Sequence, residues 1–159
     1  MERSLALPWV AGVRQVWCST ERKARDGACV VAEHLGLPVR ELATLGENDR
    51  SATGYLPRAE FEAVADQFFA QPGESIRGWE RAVDAQRRIA GAIETVLAAD
   101  KPGDVAIVAH GGVGALLLCY LRHVPISREH DQPPGNGGNY FAFDAVTRLV
   151  RHGWVAIDA

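Results

Sequence analysis

Surplus basic charge is missing from this chain: 17 Lys+Arg stand against 20 Asp+Glu, a formal net charge of −3. Sequence-independent binding to a nucleic-acid backbone, which relies on clustered cations, is excluded on that ground. Cysteine is scarce and odd in number; Cys18, Cys29 and Cys119 offer no disulfide framework and read as small core hydrophobes in a reducing compartment. No apolar run is long enough to cross a bilayer, the longest covering only residues 113–121. The start, Met1-Glu2-Arg3-Ser4, leads into a short run broken by Pro8 and has no signal-peptide pattern, so the cytoplasm is the expected location. Gly73-Glu74-Ser75-Ile76-Arg77 fails the Gly-x-Ser-x-Gly nucleophile elbow at its last position. No glycine loop is followed by Gly-Lys-Ser/Thr, so a P-loop is absent. His123, His130 and Asp131 lack a metal-ligand spacing.

What is present is ordinary globular material. The 159 residues are 47% hydrophobic and 23% charged, which fits a single domain over residues 1–159. At this length folding hides roughly 70% of the unfolded surface, so a core forms without disulfides or metal.

Hydrophobic periodicity alternates between strand and helix. Residues 13–18 read as a strand. Ser19 or Thr20 then caps a helix with Ala24, Ala28, Val31 and Leu35 on one face, stopped by Gly36. Residues 39–45 alternate like a second strand, and 46–57 form a polar loop. Phe61, Val64, Ala65, Phe68 and Phe69 repeat with helical spacing, and a long helix follows over about residues 79–99. The continuous apolar run at 105–109 predicts a strand buried on both faces. His110-Gly111-Gly112 opens an apolar helix through Leu121. A Pro/Gly loop at 133–138 precedes a closing hairpin of residues 140–143 and 149–157, expected to add strands at a sheet edge. The pattern predicts an α/β protein, a three-layer α/β/α sandwich.

Ligands of open α/β sheets gather at the carboxyl ends of strands, and two such ends carry polar chemistry. His110 precedes two glycines at a helix N-terminus, where bare backbone N–H groups favour an anion. A lone histidine in a core is more often satisfied by a backbone carbonyl, but the strand–His-Gly-Gly–helix setting turns that reading toward a site. Ser19 to Arg25 sets a cap, one acid and three cations at the other helix start; cations oppose the helix dipole there, so an anionic partner would offset the cost. Glu47, in the loop after the second strand, is a candidate general acid, its bland alternative being a surface carboxylate.

Together these pieces resemble the histidine phosphatase superfamily, the phosphoglycerate-mutase-like fold. The resemblance rests on Ser19-Thr20-Glu21-Arg22-Lys23-Ala24-Arg25-Asp26-Gly27-Ala28, on Leu45-Gly46-Glu47-Asn48-Asp49-Arg50, and on Val105-Ala106-Ile107-Val108-Ala109-His110-Gly111-Gly112, in that order. It implies transfer of a phosphoryl group to a histidine and then to water or another acceptor, with no cofactor and no metal. His110 would be the second pocket histidine and Glu47 the proton donor. Lys23 would stand where many members have a phosphate-clamping Arg, without the bidentate fork. Ser19, Arg22 and Gly111 would complete the phosphate cradle. The implied partner is a phosphorylated small molecule or phosphate, with no nucleic acid and no membrane; an oligomer stays open.

The family's nucleophilic histidine belongs to an Arg-His-Gly motif ending an N-terminal strand, upstream of everything matched here. Arg151-His152-Gly153 lies inside the last predicted strand, with no following helix, and reads as coincidence. The resemblance therefore implies a member of a phosphomonoester hydrolase or mutase lineage whose sequence starts downstream of that strand, with exposed edges or a gap beside residues 105–109 and little or no phosphatase activity from this chain. The alternative from another class is a catalytically inactive phosphate-binding or interaction module.

Overall fold

A computed structural model describes residues 5–99, 102–134 and 138–157. Three parallel strands form the sheet: β1 (Val13–Cys18), β2 (Val39–Glu41) and β3 (Asp104–Val108), in the order β2-β1-β3. The register sets Val16 opposite Val39 on one side of β1 and opposite Ala106 on the other. Parallel neighbours require crossover connections, which the helices supply. The four helices are α1 (Arg22–Leu35), α2 (Arg58–Ala70), α3 (Ala82–Leu97) and α4 (Gly111–Leu121).

The period of two along each strand divides the core between the sheet's faces. Val16, Cys18 and Ala106 pack with Ala24, Ala28, Val31 and Ala32 of α1. Trp17, Val105 and Ile107 pack on the other face, with Ile89, Ile93 and Val96 of α3 and Val113, Leu117 and Leu121 of α4. The result is helix, sheet and helices in three layers. A further cluster joins α2 to α4 through Val64, Phe68, Phe69, Trp79 and Leu116, with Trp79 only 1% exposed. α1 ends as its sequence requires: Gly36 takes the left-handed conformation at φ 64°, and the Leu37 N–H returns to the Ala32 carbonyl at 2.9 Å.

Several expectations change. The second strand stops at Glu41, and Ala43–Leu45 coil into a 3-10 turn that buries Leu45. The long helix begins at Ala82 rather than near Trp79, because Arg77 and Gly78 adopt positive φ and turn the chain there. Cys29 is exposed, whereas Cys18 and Cys119 are buried thiols; burial pushes both of these up from the ordinary thiol range.

The closing hairpin, β4 (Asn139–Phe143) and β5 (Val150–Ala156), forms its own two-stranded antiparallel sheet instead of extending the first. It reaches the core through side chains, Phe141, Phe143 and Val150 packing against the same buried cluster as Val105 and Ile107. β3 is thus an edge strand among the described residues, hydrogen-bonded to β1 alone. Of its residues only Ala106 is fully buried, short of the complete burial expected from its apolar run. The predicted loop at 133–138 falls partly outside the described residues, as do the first four residues and Lys101.

Candidate functional site

The carboxyl ends of β1 and β3 lie side by side, with Cys18 paired to Val108 and the Ser19 N–H donating to the Val108 carbonyl at 3.2 Å. That register brings Ser19 and His110, 91 residues apart, into contact: Ser19 Oγ lies 2.7 Å from His110 Nε2. Ser19 is fully buried and accepts the Glu21 N–H at 3.3 Å. The sequence assigned it to a helix cap; instead Glu21 is the N-cap residue of α1 without a side-chain cap, and Ser19 orients the histidine. Glu21 Oε1 lies 3.3 Å from the same Nε2 and accepts the Glu47 N–H at 2.8 Å. The imidazole, its side chain 11% exposed, is therefore fixed by one hydroxyl and one carboxylate.

His110 is the N-cap residue of α4, but its side chain caps nothing. First-turn N–H groups of a helix have no acceptor within the helix. Glu47 supplies it from the far loop: its carboxylate accepts from Gly112 N at 3.1 Å and Val113 N at 3.0 Å, and from its own neighbour Asn48 N at 3.1 Å. Glycine at 112 makes this approach feasible, since a Cβ there would stand 2.7 Å from Glu47 Oε1. Gly111 has a similar reason, because a Cβ would meet Gln132 Nε2 at 2.2 Å.

Arg50 flanks the carboxylate, with Nη2 3.4 Å from Glu47 Oε2 and Nε donating to Asn48 Oδ1 at 2.9 Å. Its guanidinium lies over Phe61 and Trp79, 4.9 and 5.0 Å from the ring centroids, an arrangement typical of arginine on aromatic faces. Asn48 is 3% exposed and its Nδ2 is a buried donor with no partner among the described residues. Beside Arg50 opens a cleft of about 360 Å³, lined by Tyr55, Leu56, Arg58, Phe61 and Trp79.

The structure thus brings Ser19, His110, Glu47 and Gly111 to one place. Lys23 is exposed on the first turn of α1. Arg22 is 94% exposed at its side chain and pairs with Asp26 at 3.7 Å. Arg151-His152-Gly153 sits inside β5, where Arg151 pairs with Asp144 and His152 packs edge-on to Tyr140. Sequence reasoning missed Glu21, Asn48, Arg50 and Gln132. Glu21, Asn48 and Arg50 lay within the quoted motifs but carried no pattern saying which polar residue turns inward. Among the described residues no group of three or more His, Cys, Asp or Glu side chains is arranged to hold a metal ion. No described helix is long and apolar enough to cross a membrane.

Residues 6–139 match the family model of the histidine phosphatase superfamily (branch 1). The chain belongs to that superfamily. No curated protein matches it in sequence. Solved structures of this fold superpose closely. A native mycobacterial glucosyl-3-phosphoglycerate phosphatase is 24% identical, with a TM-score of 0.71 over 98% of this chain and 84% of that one. Its complex with inorganic phosphate gives 21% identity and 0.70 over 99% and 86%. Bacillus stearothermophilus YhfR gives 21% identity and 0.72 over 96% and 77%. These likenesses establish the phosphoglycerate-mutase-like fold for this superfamily member, including its parallel sheet and flanking helices.

Proposed function

We propose that this chain carries the phosphoryl-binding half of a phosphomonoester hydrolase or mutase site, and that by itself it turns phosphomonoesters over slowly or not at all. The observation behind this is the Ser19–His110 contact at the N-terminus of α4. A nearly buried imidazole held by a hydroxyl and a carboxylate, beside the Gly111 N–H at the start of α4, offers donors to a phosphoryl oxygen. His110 steadies charge on the phosphoryl group, with Gly111 allowing close backbone approach. Lys23 and Arg22 contribute long-range positive potential from α1, and Ser19 sets the tilt of the imidazole. Glu47, whose carboxyl group meets the first turn of α4, is in this reading the group that hands a proton to the leaving oxygen.

Slow turnover follows from the imidazole inventory. A phosphohistidine route needs an imidazole that attacks phosphorus, and this reading gives His110 the other task of holding the phosphoryl charge. With His110 so engaged, the site of this chain binds and releases phosphate. The superfamily likeness carries the fold, so the substrate class rests on the site's chemistry: a small phosphorylated molecule, in keeping with a net charge of −3 that disfavours nucleic acid. The three free thiols support a reducing, cytoplasmic setting.

The test is paired. Inorganic phosphate or vanadate binding is followed by calorimetry, and p-nitrophenyl phosphate hydrolysis by absorbance, in wild type and His110→Ala. Saturable binding that His110→Ala weakens, with negligible hydrolysis, is the expected result. Brisk hydrolysis lost in His110→Ala would overturn the slow-turnover reading, and absence of binding would overturn the site.

A further inference from the structure

Arg88, in the second turn of α3, leaves its own helix and reaches into the loop that carries Glu47. A guanidinium has five N–H donors, and the contacts account for all of them. Nε and Nη2 grip Glu80 at 3.0 and 2.8 Å. Nη1 donates to the carbonyls of Thr44 and Gly46, each at 2.9 Å, and Nη2 also donates to the carbonyl of Glu47 at 3.2 Å. Glu80 extends the same grip: Oε2 accepts the Asp49 N–H at 3.1 Å, and the Glu80 N–H donates to the Asp49 carbonyl at 2.9 Å. Both side chains are largely withdrawn from water, at 24% and 20% exposure. One ion pair therefore ties down the backbone at residues 44, 46, 47 and 49, on both sides of Glu47.

Glu47 needs such a frame. It caps α4 from 65 residues away in sequence, and its loop has no strand or helix of its own between Leu45 and Arg58 to fix it. A loop of that kind would sample many backbone states if nothing outside it supplied acceptors and donors. A planar, forked guanidinium can satisfy three carbonyls and a carboxylate together; a lysine ammonium cannot reproduce that geometry.

We propose that the Glu80–Arg88 pair is a positioning device for Glu47: it holds the loop backbone so that the carboxyl group meets the N–H groups of Gly112 and Val113 at the phosphoryl end of α4. Neither residue touches the phosphoryl position; both act through Glu47. The functional meaning of this rests on the reading of Glu47 given above, whereas the geometric claim is tested in the ligand-free protein.

The experiment is amide hydrogen exchange by NMR on wild type, Arg88→Lys and Glu80→Gln. The Gly112 and Val113 amides have no helical acceptor, so their protection reports the Glu47 contact directly. Arg88→Lys is expected to speed exchange at these two amides by about tenfold or more, the order of one lost hydrogen bond to a charged group. Leu117 and Cys119, in the same helix, should change by less than about twofold. Glu80→Gln keeps the shape and should give a smaller effect of the same sign. It also covers the case in which Arg88→Lys fails to fold. Exchange that rises equally along α4 would mean a general stabilising role and overturn the proposal, as would unchanged exchange at Gly112 and Val113. Adding inorganic phosphate to the wild-type sample separates the two readings. Local loosening without any phosphate response would sink the function and leave the positioning intact; phosphate binding without local loosening would do the reverse.

Discussion

Two helices start at neighbouring strand ends, and their first turns are built on opposite plans. α1 opens with Arg22 and Lys23 and carries Arg25 in its first turn, but these cations point outward: Arg22 pairs with Asp26, and Arg25 with Glu41 at 3.1 Å. α4 opens with two glycines and no charge, yet its N-terminus is where His110, Ser19 and a carboxylate converge. Side-chain cations draw attention to α1 in the sequence, while in space the polar groups gather at α4, where Glu47 meets the backbone N–H groups beside a fixed imidazole. The burial of the two helices follows the same contrast. α1 buries one stripe, through Ala24, Ala28, Val31 and Ala32. α4 buries most of its circumference, from Val113 to Leu121, and so holds its N-terminus at a fixed position in the core.

The strongest way to break this contrast is through the core that anchors α4. Leu116 is fully buried, and Leu116→Ala should cost about 2–5 kcal/mol in urea unfolding. Arg22→Ala, at the solvent side of α1, should stay within about 0.5 kcal/mol. Equal effects would mean that α4 is not the rigid element. Next is Gly112→Ala, whose Cβ would stand 2.7 Å from Glu47 Oε1 and 3.0 Å from Arg50 Nη2. It should cost about 1–3 kcal/mol as overpacking, and an unchanged midpoint would show that Glu47 is not held against α4.

Ligand binding sharpens the comparison further. His110→Ala should weaken phosphate binding about tenfold or more, as for a lost hydrogen bond to a charged group. Lys23→Met should weaken it about twofold to threefold, vanishing at high salt as a screened charge does. The reverse order would move the site to α1. The smallest effect lies away from both helix starts, at the β4–β5 turn. Asp144 accepts the Thr147 and Val146 N–H groups and pairs with Arg151, and these bonds hold its carboxyl well below the usual carboxylate range. A depressed acid adds stability that is present above its unfolded value near pH 4 and is lost as pH falls toward the folded one. Acid unfolding of Asp144→Asn should lose that component of the pH dependence, and an unaltered profile would contradict it.

Much of the fold was legible because its signals are local. The apolar periods of residues 13–18, 24–35, 61–69 and 105–121 placed β1, α1, α2, β3 and α4, and Gly36 marked a real left-handed stop. The hairpin was recognised, but its separation from the main sheet was not, because pairing between strands is a long-range choice that alternation does not encode. At the site, His110 stood out through its setting, and periodicity read Ser19 only as a helix cap, while the family resemblance placed it in the phosphate cradle. Its hydroxyl meets His110 across 91 residues as well as accepting the N–H of Glu21 at the start of α1. Arg88 was invisible because a charged residue in an amphipathic helix looks like solvent-facing surface until the loop it grips is in view.

The most direct test of the account is an amide chemical-shift titration of the wild-type protein with inorganic phosphate. Saturable shifts concentrated at Ser19, His110, Gly111, Gly112 and Val113 are predicted, with Arg22 and Lys23 moving little. Shifts confined to Arg22, Lys23 and Arg25, or none that saturate, would contradict the placement of the phosphoryl site at α4.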